Sequence, residues 1–369
     1  EGMVKAYVAQ VVAAARRRDG RALAGLLDLR SANLSRAPAS SSQGAIANQC
    51  AQSLPEKYCD VVQAHLICAQ LAGLGRDADA YAALVAAVQP TIDVFRQEED
   101  AWFVAVVHVV VRNVRTMAER ADRELSAAGE KKPDRLENAG NRIMSCFAAV
   151  NRPSGSGEKR LGTLRVVNEL FRIYFRLNTL TNCKYLIRVV EAKNFVSFEQ
   201  FPSADKVTYK FFVGRLAVFD EDFHLADAHL TFAFARCEPR AQKNKRLILQ
   251  YLIPVKLLVG QLPPDSLLRR CGLQGMYAQV IHAMRVGSVR AFDDALRANM
   301  ERYIKSGTFL LIEKLRLGVY RRLFKRVTAI HAQARPDKAV QVPLGLLLAA
   351  LRHEGVEVAN ILPSLFSTS

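Results

Sequence analysis

Apolar residues recur along this chain every three to four positions, the spacing of one face of an α-helix. Near the start they fall at Val4, Val8, Val11, Val12, Ala15, Leu23 and Leu27, and the rhythm breaks near Asp19-Gly20. The stretch 37–44, rich in Ala and Ser, predicts a linker. Beyond Pro55, apolar positions from Val61 to Leu71 predict a helix that Gly73-Leu74-Gly75 stops. Another is predicted from about 77 to 88, ending near Pro90. A long one extends over about 98–126, with Trp102, Val106, Val110 and Val114 at helical spacing. Polar turns at 129–134 and 151–159 follow, then a helix over 161–177 with Leu164, Val167, Leu170, Phe171 and Tyr174 on one face.

From Asp205 the pattern becomes a series of helix–turn–helix units. In the first, small residues at Gly214, Ala217, Ala226 and Ala233 predict close approach of two helices, as in tetratricopeptide-like hairpins. The second pairs 247–259 with 266–271 across Gly260 and Pro263-Pro264, and the third pairs 276–285 with 289–300 across Gly287-Ser288. Such pairs cannot bury their apolar faces alone, so they stack into a solenoid. After Gly307 a long amphipathic helix is predicted to about Ala332, striped by Phe309, Ile312, Leu315, Val319, Leu323, Val327 and Ile330. A short helix over 344–351, a turn at Gly355 and the apolar run 356–362 predict a helix-turn-helix or winged-helix module. The expected fold class is all-α. Four segments are expected: an N-terminal helix and linker (1–50), N-terminal helical repeats (51–180), a helical-hairpin solenoid (181–306) and a winged-helix module (307–369).

Composition supports a packed protein, since 50% of the 369 residues are hydrophobic and 24% charged. Charge changes the picture more. The net charge is +17, and 240–335 holds nineteen Lys/Arg against five Asp/Glu, so most of the surplus lies there. An excess of this size attracts polyanions. Arg316, Arg321, Arg322, Lys325 and Arg326 lie largely off the apolar stripe, with 321/325 and 322/326 each one turn apart. They form a candidate nucleic-acid surface that would contact phosphates without reading sequence; pairing with an acidic partner protein is the alternative. Lys243, Lys245, Arg246 and Lys256 form a second basic group, fit for an acidic extended peptide or simply a solvated face.

Other chemistry finds little footing. The seven cysteines include no Cys-x-x-Cys pair and predict reduced thiols. His224 and His229 are five residues apart, about 140° around a helix, and do not chelate from one face. His65, three residues before Cys68, reads as core, and the aromatics Phe211, Phe212, Phe219, Phe223, Phe232 and Phe234 likewise. No metal or cofactor is expected, and no nucleophile or phosphate-loop motif predicts catalysis. No signal peptide is legible. The longest apolar run, 101–111, is interrupted by His108 and falls short of a bilayer span, so no membrane insertion is expected.

Three blocks carry a resemblance: KFFVGRLAVFDEDFHLADAHLTFAFARC, AQKNKRLILQYLIPVKLLVGQLPPDSLL and SGTFLLIEKLRLGVYRRLFKRV. They resemble the PCI domain of the PCI domain-containing protein 2 family, from about Asn182 to Leu351. The resemblance implies a hairpin solenoid joined to a winged helix, and a non-enzymatic scaffold subunit of the TREX-2 complex in nuclear mRNA export at the nuclear pore. It implies a large scaffold partner (germinal-centre-associated nuclear protein in animals), a small acidic subunit shared with the proteasome lid, and RNA or DNA on the paired winged helices. The strands and wing that the resemblance implies do not follow the module's helices before Ser369, so an incomplete module is expected. A subunit of a signalosome-associated or proteasome-lid-like assembly, with protein docking alone, is the rival reading.

Overall fold

The helical period is realised as α-helix throughout: among residues 2–36, 41–152 and 157–356, which the computed structural model describes, no strand occurs. Residues 37–40 of the expected linker, 153–156 of the second loop and the apolar run beyond 356 lie outside the described residues, and with that run lies the second helix expected for the terminal module. The chain forms two units, Glu1–Tyr209 and Lys210–Ser369, and the boundary falls inside helix Ser203–Phe219.

In the first unit, helix Gly2–Arg16 ends where the pattern breaks, and Asp19 starts Gly20–Leu27 by accepting the Ala22 N–H at 2.9 Å. Helix Glu56–Gly73 stops before Gly75, whose φ of 75° few other residues adopt. Pro90 corrects the sequence reading. Helix Asp77–Val85 ends earlier, and Pro90 lies in the first turn of a new helix, Val88–Gln97. A first-turn residue needs no N–H, so proline opens a helix as readily as it closes one.

The long helix is Val104–Ala127, preceded by a 3-10 turn. Val106, Val110, Val114 and Ala121 are fully buried between helices Gly20–Leu27, Asp77–Val85 and Arg135–Val150. Each valine so buried contributes roughly 1.5–3 kcal/mol relative to exposure. The stretch Ala101–Ala127 is long and apolar enough to cross a membrane, yet half of its apolar 18-residue segment is buried within the protein. Arg115 on this helix is paired with Glu119 and Glu169, which fits a core helix. Arg135–Val150 and Leu180–Val190, absent from the sequence reading, are helices too, with Ile143, Phe147, Cys183 and Leu186 inside.

In the second unit, Ala226, Leu230 and Ala233 of helix Phe223–Arg236 are fully buried. A Cβ added at Gly214 would lie 2.8 Å from Leu230 Cγ, so the predicted small-residue approach is real. Phe211 and Phe212 are core, while Phe219 is half-exposed at its helix end. Helix Gln242–Leu258 packs on Phe223–Arg236. The six-residue helix Asp265–Arg270 packs on Gln274–Val286, which pairs with Val289–Ser306. The predicted long helix after Gly307 divides into Phe309–Glu313 and Arg316–Ala334. Ile312, Leu315, Val319 and Leu323 of its stripe are buried, but Ile330 is 62% exposed. Helix Leu344–His353 rests on Arg316–Ala334, and Glu354 accepts from Ser288 Oγ at 2.9 Å and from the Arg290 N–H at 3.1 Å.

The seven cysteines form no disulfide with one another, and five of them are buried. His65 is buried with Nδ1 2.7 Å from the Val61 carbonyl, and burial pushes its pKa down to about 4 against that contact.

Candidate nucleic-acid and partner interface

Helix Arg316–Ala334 is fixed by what its apolar side touches. Val319, Tyr320 and Leu323 are buried against helices Gln274–Val286 and Val289–Ser306. The turn between those two helices is Gly287, held at φ 71°. A Cβ there would lie 2.7 Å from the Leu323 backbone nitrogen, so only glycine lets the basic helix sit so close.

That close seating decides where the cations go. Arg322 Nε donates to the Arg285 carbonyl at 3.0 Å, and Arg326 donates to the Val286 carbonyl. Both carbonyls belong to the end of helix Gln274–Val286, where orphan acceptors and the negative dipole end favour cations. The two guanidiniums therefore cap a neighbouring helix and remain exposed and charged. Arg321 and Lys325 are exposed with no partner among the described residues. Arg316 is different: its guanidinium grips Asp293 at 2.8 and 3.3 Å and lies 5.8 Å from the Phe292 ring centroid. It is neutralised within the unit.

Four exposed cations thus share one helix that contains no Asp or Glu. Like charges one turn apart destabilise a helix by about 0.2–0.5 kcal/mol per pair, a repulsion that a polyanion relieves. Arg285 is itself exposed, and its backbone carbonyl is the acceptor for Arg322. Sequence reading missed it because 37 residues separate the two.

The second basic group is partly consumed. Lys256 Nζ is held by Asp227 at 2.9 Å and Gln261 at 2.8 Å. Lys245 Nζ stands 5.3 Å from the Phe234 ring centroid, a cation–π contact. Lys243 and Arg246 are exposed without a carboxylate partner among the described residues. An apolar groove of about 250 Å³ includes Phe234, Leu252, Leu262 and Pro263, with Lys256 on its wall. Among the described residues no group of three or more His, Cys, Asp or Glu could hold a metal ion.

No protein-family model matches the chain. It is similar to Enhanced ethylene response protein 5 of Arabidopsis thaliana, 39% identical over 76% of this chain and 66% of that relative, just under two thirds of its length. It is similar to PCI domain-containing protein 2 of Danio rerio, 34% identical over 96% of this chain and 88% of the relative. The PCI domain-containing protein 2 homolog of Drosophila melanogaster is 36% identical over the same shares.

Proposed function

Because this chain belongs to the PCI domain-containing protein 2 family, we propose that it is a non-enzymatic scaffold subunit of a TREX-2-type complex in nuclear mRNA export, working at the nuclear pore. In this reading its C-terminal module pairs with a large scaffold subunit and presents Arg321, Arg322, Lys325 and Arg326 to RNA or DNA. Lys243, Lys245 and Arg246 hold a small acidic subunit, with Lys256 contributing less because Asp227 already occupies it. The single observation that supports nucleic acid most strongly is the run of four exposed cations on a helix without a carboxylate.

Binding of this kind releases condensed counterions and weakens steeply with salt. The variant Arg321→Glu/Lys325→Glu removes the two cations that have no structural task and spares the two capping arginines. Its affinity for single-stranded RNA is expected to fall about tenfold at low salt. Its log–log salt slope is expected to become shallower by about 1.4, two phosphate contacts at roughly 0.7 each. Fluorescence anisotropy across a salt series measures both, with circular dichroism reporting the fold. Unchanged affinity and slope in a folded variant would sink the nucleic-acid reading.

Protein docking alone is the second reading, favoured by exposed apolar residues on the same unit: Met300 and Ile304 one turn apart, Leu310 and Leu317. Loss of partner co-purification from the same variant, with RNA affinity intact, would select it.

A further inference from the structure

The first unit contains an open cleft of about 1010 Å³, lined by residues between Arg17 and Thr208. Six arginines face it, Arg17, Arg18, Arg21, Arg112, Arg165 and Arg172, against three carboxylates, Asp19, Glu169 and Asp205. Some of this charge is spent internally. Arg112 pairs with Asp28 at 2.8 Å, Arg165 with Asp205 at 3.1 Å, and Arg172 lies 3.6 Å from Glu169. Arg17 and Arg21, at the end of one helix and the start of the next, are exposed with no ion pair among the described residues.

Two more observations describe what the cleft lacks. Asn168 is 3% exposed; its Nδ2 donates to the Asp205 carbonyl, but its buried Oδ1 has no hydrogen-bond partner. Trp102 forms part of the wall, its indole held by Nε1 donation to Glu98 at 2.9 Å. Arg18 lies 6.0 Å from the indole centroid and adopts φ 53°, a left-handed backbone that chains usually give to glycine at a helix end. Its ion pairs with Glu98 at 2.9 Å and Asp100 at 3.2 Å hold it there.

We propose that this cleft is a binding site for single-stranded nucleic acid. The free guanidiniums of Arg17 and Arg21 take phosphates, and a base lies against Trp102. An acidic peptide answers the cations, but its carboxylates offer nothing to an indole. A nucleotide supplies the anion and the π-face together. The site goes beyond the basic helix and stands on separate residues, so either can fail alone.

Trp102 is the chain's only tryptophan, which makes indole emission a reporter of this cleft. The full chain is titrated with oligocytidylate in ribo and deoxyribo forms, reading indole emission and probe anisotropy in parallel. Saturable change in emission with either sugar supports the site. Arg17→Glu/Arg21→Glu is expected to weaken the emission-reported affinity about tenfold, whereas Arg321→Glu/Lys325→Glu leaves it unaltered. Both arginines of the first variant are exposed and unpaired, so its fold is expected to persist and circular dichroism checks it. Four results overturn the proposal: no binding by either readout, binding by anisotropy with silent emission, an emission change indifferent to Arg17 and Arg21, or oligoglutamate displacing the oligonucleotide at lower concentration than oligonucleotide itself. The last would assign the cleft to an acidic protein.

Discussion

A Gly287→Ala variant is expected to lose about 3 kcal/mol from the second unit, an effect at the upper end for one added methyl group. Two costs combine. A left-handed backbone costs an L-residue roughly 1–2 kcal/mol, and Gly287 stands at φ 71°. The new Cβ would also meet backbone, 2.7 Å from Leu323 N and 3.0 Å from Arg322 C, and backbone cannot turn aside as a side-chain tip can. Helix Arg316–Ala334 would have to retreat, which strains the Arg322 and Arg326 bonds to the Arg285 and Val286 carbonyls. Gly260 supplies the control, with φ 83° and nothing within 4 Å of an added Cβ. Gly260→Ala is expected to cost only the backbone term, about 1 kcal/mol. Denaturant titration of both variants separates the terms. Equal losses would mean that the basic helix does not sit against that turn.

The second large effect concerns Glu98, a carboxylate only 8% exposed that gathers cations from distant parts of the first unit. Lys57 Nζ reaches it at 2.6 Å, Arg18 at 2.9 Å and Trp102 Nε1 at 2.9 Å. Burial alone would raise its pKa. The hydrogen bonds from Lys57 and Trp102, the charge of Lys57 and the bond from Arg18 outweigh burial and hold it at about 2. A carboxyl depressed from its ordinary 4.5 stabilises the fold fully above about pH 4.5, and that contribution is lost as pH falls towards 2. Because Lys57 and Arg18 are 40% and 50% exposed, solvent screens them and the contribution is on the order of 2 kcal/mol. Glu98→Gln is expected to lose that amount at pH 7 and to flatten the stability profile between pH 5 and pH 2. Urea titrations of both proteins across that range measure it. A parent and variant that lose stability in parallel below pH 5 would rule out this role for Glu98.

These two positions differ in how far sequence reaches them. Gly287 was legible as a turn, since glycine followed by serine interrupts two apolar helices, but nothing local says that another helix presses on it. Glu98 gave no signal, because its cationic partners lie 80 and 41 residues away.

The chain by itself determined its helical class, the break at Asp19-Gly20, the small-residue seam of Gly214, Ala226 and Ala233, and the one-turn spacing of Arg321/Lys325 and Arg322/Arg326. Each of these follows from the helical period or from one residue's backbone preference, and both act over a few positions. Tertiary structure alone decided that Pro90 opens a helix, that Asp293 neutralises Arg316, that Asp227 occupies Lys256, and that Arg17, Trp102 and Asn168 share one cleft. Periodicity tells which side of a helix turns outward, but not which charge another helix will bring to meet it. Ion-pair choice and cleft formation depend on that arrival.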